Sequence, residues 1–273
     1  MRRPGLVAVD IDGTVLRHGS GHQASPAVVD ALRAVRDAGV PVVVATARAE
    51  CEARKVVAGL GLTDGLHVYS HGGLVHDLGA GRDVHRSHFD AGAAVRAFLD
   101  VDPAASFVVE HDEGGWSTCE NYVRGFPTTW RERLPLDALT ASRTILLGVK
   151  VTCDGTSYGP TDHCPHGATA VQAAGLDATV YRTDVGIKGW IAVLAAGTSK
   201  ASGLGRVAEE YGVDPADVVA FGDSSNDLPM FAWAGHAVAM GQALDDVKAA
   251  ADEVAPAVTE DGVATVLRRW FPR

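Results

Sequence analysis

Three short, wholly apolar runs each end on a polar loop, and that arrangement restricts the fold more than any other feature. Leu6-Val7-Ala8-Val9 leads into Asp10-Ile11-Asp12-Gly13-Thr14, residues 40–45 lead into Thr46-Ala47-Arg48, and residues 218–221 lead into Gly222-Asp223. A strand with no polar residue on either face needs cover on both, as in a parallel sheet packed between helices. Helical segments fall where such a sheet requires them. Ser25-Pro26 supplies an N-cap and a first-turn proline, Val28, Leu32 and Val35 recur at helical spacing, and Gly39 closes the segment. Residues 50–60 read as a second helix. The pattern returns late in the chain, with helices at 204–211, 228–234, 243–251 and 263–270 around strands at 218–221 and 236–240. This alternation predicts an α/β fold, a doubly wound parallel sheet of Rossmann-like type.

Residues 76–186 differ in grain. Strand-like runs at 107–109, 145–151 and 179–181 and helix-like runs at 91–99 and 168–174 are set among frequent glycine, proline, tryptophan and histidine. The expectation is an inserted α+β domain at 76–186 dividing a core made of 1–75 and 187–273. The formal net charge of -10 speaks against a nucleic-acid or anionic-membrane partner. It also means that an anionic substrate needs positive charge placed locally. The N-terminal apolar run is cut short by Asp10, and no stretch approaches the ~18 apolar residues of a membrane span, so a cytoplasmic protein is expected. Cys51, Cys119, Cys153 and Cys164 form no CxxC pair and read as reduced thiols, and with His163 and His166 they match no standard zinc spacing.

The loops after the apolar runs carry the chemistry. Ligands bind at the carboxyl ends of the strands in doubly wound sheets, which is where Asp10 and Asp12 fall. Two carboxylates so close cannot both stay bare: a cation lies between them or one holds a proton. A calcium loop begun at Asp10 needs glycine and glutamate where Val15 and Gly21 stand. Thr46, at a strand-to-helix junction, offers a hydroxyl and backbone N–H for a phosphate seat, although read alone it is an ordinary N-cap. Lys200 opens a helix, where its charge opposes the macrodipole at a cost of a few tenths of a kcal/mol. Such a placement points to another duty, the alternative being a surface lysine. Gly222-Asp223-Ser224-Ser225-Asn226-Asp227 adds two carboxylates, Asp223 being placed as a hard oxygen ligand if the loop is more than an Asx-rich turn. Gly155-Thr156-Ser157-Tyr158-Gly159 matches a nucleophile elbow, but Pro160 and the polar run after it do not open the helix that an elbow requires.

In that order, Asp-x-Asp-Gly-Thr, then Thr, then Lys, then Gly-Asp-x-x-Asn-Asp, the chain resembles the haloacid-dehalogenase-like superfamily and, within it, the Cof-type sugar-phosphate phosphatases. The resemblance runs from Asp10 to Asp261-Gly262-Val263-Ala264, essentially the whole chain. It implies a Mg2+-dependent phosphatase. Asp10 would be the nucleophile that forms an aspartyl-phosphate, and Asp12 the general acid and then base. Mg2+ would sit on Asp10, Asp223 and the backbone carbonyl of Asp12. Thr46, Ala47, Arg48, Lys200 and Asn226 would lie at the phosphate or substrate, with Asp227 orienting the site.

Phosphoryl transfer asks chiefly for positioning and for neutralisation of spread charge, which a metal and Lys200 supply. An acid at Asp12 suits phosphate esters, whose leaving alkoxide must be protonated. About 34 residues separate Asp12 from Thr46 and about 154 separate Thr46 from Lys200, so the insertion follows Thr46. That placement resembles the branch whose cap closes over small phosphorylated metabolites, often sugars. Two departures stand out: Ala47 replaces the usual glycine, and Ser70-His71-Gly72 stands where relatives carry Ser-Asn-Gly. His111, Asp112, Trp116, Glu120, Tyr122 and Arg124 are candidate specificity groups of the insertion. The rival functions are a phosphomutase on a hexose phosphate, using the same aspartyl-phosphate, and a catalytically silent binding protein.

Overall fold

The computed structural model describes residues 3–17, 21–120, 122, 129–150, 176–182 and 190–272. Arg124, Cys153, Cys164, the elbow-like 155–159 segment and the expected helix at 168–174 lie outside the described residues. Two compact units are present, Met1–His85 with Ser199–Arg273, and Arg86–Thr198.

In the first unit β1 (Leu6–Val9) is followed by α1 (Pro26–Asp37), β2 (Val42–Val44) and α2 (Glu50–Gly59). The start of α1 follows from its sequence: Ser25 accepts from Val28 N at 3.2 Å, Pro26 takes the first turn, and Gly39 turns the chain away at φ 75°. Next come β3 (Leu66–Tyr69), β4 (Leu74–Asp77) and β5 (Arg82–Arg86), an antiparallel hairpin and its extension.

The second unit begins with β6 (Phe89–Asp90), α3 (Ala91–Val101), β7 (Ser106–Glu110), β8 (Trp116–Cys119) and β9 (Trp130–Leu134). It continues through α4 (Leu136–Thr140), β10 (Arg143–Thr144), β11 (Leu147–Lys150), β12 (Ala178–Arg182) and β13 (Trp190–Ala195). Its main sheet runs β12-β13-β11-β7-β8-β9, antiparallel except for the β8–β9 pair. The expected changes of unit at 75/76 and 186/187 fall instead at 85/86 and 198/199. The causes are local: β4 pairs with β3 and keeps the hairpin in the first unit, while β13 pairs with β11 and β12 in the second.

The chain re-enters the first unit with α5 (Lys200–Tyr211), β14 (Val218–Gly222), α6 (Leu228–Trp233), β15 (His236–Ala239), α7 (Asp245–Ala249), β16 (Glu253–Val254) and α8 (Gly262–Leu267). Its five-stranded sheet runs β16-β15-β14-β1-β2 and is parallel throughout. β1 and β14 form its centre, Leu6 opposite Val218 and Val9 opposite Phe221, with every residue of both strands buried. Leu6, Ala8, Val218 and Ala220 share a core with Leu204, Val207 and Met230 of the helices. Burying each leucine-sized side chain there is worth about 1.5–3 kcal/mol. The fold is the expected Rossmann-like α/β core with a second α+β unit. No described helix is long and apolar enough to cross a membrane.

Candidate active site

The site is assembled where β1 and β14 end. Asp10 N donates to Phe221 O at 3.0 Å, one rung beyond the last strand pair, so Asp10 is placed by sheet register. The chain then folds on itself: Ile11 O accepts from Thr14, Val15 and Leu16 at 3.3, 3.1 and 2.9 Å, and Gly13 N donates to Leu16 O at 2.7 Å. Gly13 sits at φ 81°, and a Cβ there would lie 1.9 Å from Asp223 Oδ2. Only glycine allows the acidic loop and the Asp223 carboxylate to come this close.

Asp10, Asp223 and Asp227 are all buried, and each offers an oxygen within 4.8 Å of the others. Lys200 is buried with them. Its Nζ donates to Asp10 Oδ1 and to Asp227 Oδ1, each at 2.6 Å. The lysine that opposes its helix dipole is therefore the counter-charge of the acidic centre and not a surface residue. Ser199, not Lys200, caps α5, accepting from Ser202 N at 3.1 Å. Burial holds the Asp10 carboxyl well above the ordinary carboxylate range, Lys200 opposing this and Asp227, Asp223 and Asp12 adding to it. Burial also raises Asp227, against Lys200. Burial pulls the Lys200 ammonium down, but Asp10 and Asp227 outweigh it and keep it above its usual range.

Asp227 has little left to offer a ligand. Its Oδ1 accepts from Lys200, and its Oδ2 accepts from Asp223 N at 2.9 Å and Ser224 N at 3.0 Å. It pins the Asp223 backbone and the lysine at once. Asn226 is turned to its own loop, where its Oδ1 accepts from Ser224 Oγ at 3.0 Å.

Asp12 lies outside the buried cluster. Arg48 grips its carboxylate with both arms, Nε to Oδ2 at 2.7 Å and NH2 to Oδ1 at 2.5 Å, and the Asp12 side chain is 36% exposed. The cation demanded by the two neighbouring carboxylates is thus supplied separately to each, Lys200 to Asp10 and Arg48 to Asp12. Thr46 is buried, and its Oγ1 accepts from Arg48 N at 3.2 Å. It is not the N-cap of α2; that place is Ala49, with no side-chain cap.

The Ser70–Gly72 turn braces this arrangement. Ser70 N donates to Arg48 O at 2.8 Å and His71 N to Thr46 O at 3.0 Å. Ser70, His71 and Gly72 all have positive φ, at 50°, 56° and 105°. A left-handed place tolerates histidine better than most residues, which suits His71 to this turn. His71 is buried close to Lys200; burial, and then that ammonium, lowers its pKa to about 3, so it is neutral.

The chain matches the model of the haloacid dehalogenase-like hydrolases over residues 7–129 and 175–267. It belongs to that family. Among curated relatives, the Bacillus subtilis 5-amino-6-(5-phospho-D-ribitylamino)uracil phosphatase YcsE is 28% identical over 269 residues, covering 97% of this chain and 95% of the relative. Phosphatase YwpJ of the same organism is 26% identical over 305 residues, covering 96% and 98%. Solved structures agree on the fold. The subclass IIB sugar phosphatase BT4131 aligns at a TM-score of 0.79 and 21% identity, over 97% of this chain and 98% of that one. BT1666 of Bacteroides thetaiotaomicron aligns at 0.78 and 23%, over 98% and 95%. This family member is a phosphatase.

The residues present suit a divalent ion. Three buried carboxylates face one buried ammonium, leaving two negative charges to be met. All the donors are hard oxygens, and glycine at position 13 lets the Asp223 carboxylate lie directly against the acidic loop. The Asp12 carboxylate, held by Arg48, is not among them.

Gln242 reaches the same loop although no motif marks it. Its Nε2 donates to Gly13 O at 2.6 Å and to Asp223 Oδ2 at 3.4 Å. Its one sequence signal is its place just past β15, at the carboxyl edge where such sheets bind ligands. In the second unit, Asp112 is bound by His88 at 2.6 Å and Arg86 at 2.7 Å, and His111 by Ser117 Oγ at 2.6 Å, while Trp116 and Tyr122 are buried. Those aromatic groups serve that unit's core.

Proposed function

We propose that this phosphatase hydrolyses a small phosphate monoester of the sugar-phosphate kind through an aspartyl-phosphate on Asp10, with Mg2+ as its cofactor. The observation that carries the proposal is the buried Asp10–Lys200–Asp227 chain beside Asp223. A carboxylate sealed from water, fixed by sheet register and held by a lysine is a positioned nucleophile.

Asp10 attacks phosphorus in line with the ester oxygen. That oxygen departs with the proton of Asp12, leaving the phosphoryl group on Asp10. Asp12 then takes a proton from water, the hydroxide attacks phosphorus, and inorganic phosphate leaves as the Asp10 carboxylate is restored. Lys200 and the Thr46 hydroxyl would meet the phosphoryl oxygens. Arg48 must release one arm for Asp12 to reach a leaving group. The pair is part-exposed, so opening it costs on the order of 1 kcal/mol. Asp10 and Asp223, with the Asp12 carbonyl, would hold Mg2+. When bound, the ion would neutralise phosphoryl charge and favour the anionic, nucleophilic form of Asp10.

The substrate class draws on relatives named for a phosphorylated ribityl compound and on the sugar-phosphatase neighbour. A panel of sugar and sugar-alcohol phosphates, assayed with Mg2+ for inorganic phosphate, tests it. Release from several panel members, abolished by Asp10→Asn, is expected, the loss being several orders of magnitude. Isomerisation of a hexose phosphate without phosphate release would overturn the hydrolase reading, and turnover surviving in Asp10→Asn would overturn the nucleophile.

A further inference from the structure

We infer that Gln242 is a positioning residue for the metal site: it orients the Asp223 carboxylate and locks it to the Gly13 turn. The inference rests on the proposed metal role of Asp223.

The amide is used at both ends, and its orientation is fixed by chemistry. Val258 N is a donor, so the Gln242 oxygen must face it, and it does at 2.9 Å. Gly13 O is an acceptor, so the nitrogen must face it, at 2.6 Å. One N–H is spent on Gly13, and the other points to Asp223 Oδ2 at 3.4 Å. A flipped amide would set two acceptors together at Gly13 and two donors together at Val258.

Gln242 therefore joins three stretches distant in sequence: the acidic loop, the β14 loop and the 3-10 turn Val258–Glu260. Gly13 lies between the proposed nucleophile and the rest of its loop. Asp223 is held from two sides, its backbone N–H by Asp227 Oδ2 at 2.9 Å and its carboxylate by Gln242. Asp227 fixes the Asp223 backbone, and the Gln242 donor adds a hold on the carboxylate itself. Groups behind a metal ligand typically contribute about 10- to 100-fold to metal affinity.

The test is Mg2+ titration of the full chain by calorimetry, with thermal unfolding in EDTA as a separate readout. Gln242→Leu keeps the size of the side chain and removes both ends of the amide. The expected result is a dissociation constant raised about 10-fold or more, beyond any change in metal-free unfolding temperature. A variant that is destabilised without metal but binds Mg2+ as tightly as the wild type shows a purely structural role and overturns the inference. If Gln242→Leu does not fold, Gln242→Asn, one methylene too short to span Gly13 and Val258, is judged by the same criterion. Asp223→Asn serves as the control for the metal reading. If it binds Mg2+ like the wild type, Asp223 is not a ligand and the inference falls with that premise. If it loses binding while Gln242→Leu does not, only the inference falls.

Discussion

Replacing Lys200 by methionine removes the one ammonium from a centre of three carboxylates while keeping an unbranched side chain of similar reach. Lys200 is 1% exposed and its partners Asp10 and Asp227 are 6% and 0% exposed at the side chain, so water does not screen the loss. Removing one partner of a buried pair costs about 3–5 kcal/mol, because the remaining charge is left buried and unmatched. For a unit of this size about 1 kcal/mol moves the melting temperature by 2–4 °C, which gives a fall of about 6–20 °C at pH 8 in EDTA. The pH dependence is the sharper signature. Asp10 and Asp227 already stand above their usual range because of burial, and Lys200 is the main group opposing this. Without it both rise further. A carboxyl raised in the folded state binds its proton more tightly there than in the unfolded chain. Folding is then favoured in acid and disfavoured as pH rises from about 4 through the raised folded value. The deficit of Lys200→Met relative to wild type should thus be largest at pH 8 and shrink by pH 5, as the orphaned carboxyls take up protons. Scanning calorimetry at both pH values measures it. A variant within ~2 °C of wild type at pH 8, or a deficit that grows on acidification, would refute the electrostatic account of this centre.

Two further outcomes follow from the geometry. Gly13→Ala puts a Cβ 1.9 Å from Asp223 Oδ2 at a φ of 81°; a loss of about 1–3 kcal/mol in urea unfolding and weaker Mg2+ binding are expected, and unaltered affinity would show that the close approach is idle. His67 accepts from Val44 N at 3.1 Å through Nδ1, and burial lowers its pKa to about 4 from an ordinary 6.5. The folded state therefore binds this proton less readily than the unfolded chain, and stability falls as pH drops from 6.5 towards 4, by about 3 kcal/mol in all. His67→Asn, which keeps an acceptor for Val44, should narrow its stability gap to wild type by that order at pH 4.5 in urea titrations; a constant gap would show that His67 is not the titrating group.

The core was legible because its signals are local. A short, β-branched apolar run bounded by turn residues reads as a strand covered on both faces, and β1, β2 and β14 are such strands. Ser25-Pro26 starts a helix and Gly39 ends it for reasons held within a few residues. The unit boundaries were less legible because strand pairing decided them. Nothing in the composition of residues 76–85 or 190–195 says that one joins the Leu66–Tyr69 strand and the other joins Leu147–Lys150. Thr46 read alone looked like a helix cap, but the helix expected and found from Glu50 is capped at Ala49, and the Thr46 hydroxyl accepts instead from Arg48 N.

The site was legible in its members and not in its pairings. Asp10 and Asp12 stand two residues apart, and sequence alone says only that they must be neutralised. Their environments then part. Asp10 is sealed in by the sheet and tied to Lys200, 190 residues away, while Asp12 stays at the surface with Arg48, 36 residues away. That division supports the assignment of roles: a nucleophile gains from rigidity and exclusion of water, whereas a proton carrier must reach first a leaving group and then a water. One residue of separation along a tightly folded loop is enough to give each carboxylate a different cation. Gln242 escapes any motif for the same reason. Its meaning lies in three loops that meet only after folding, and a glutamine just past a strand carries no mark of which backbone it will bridge.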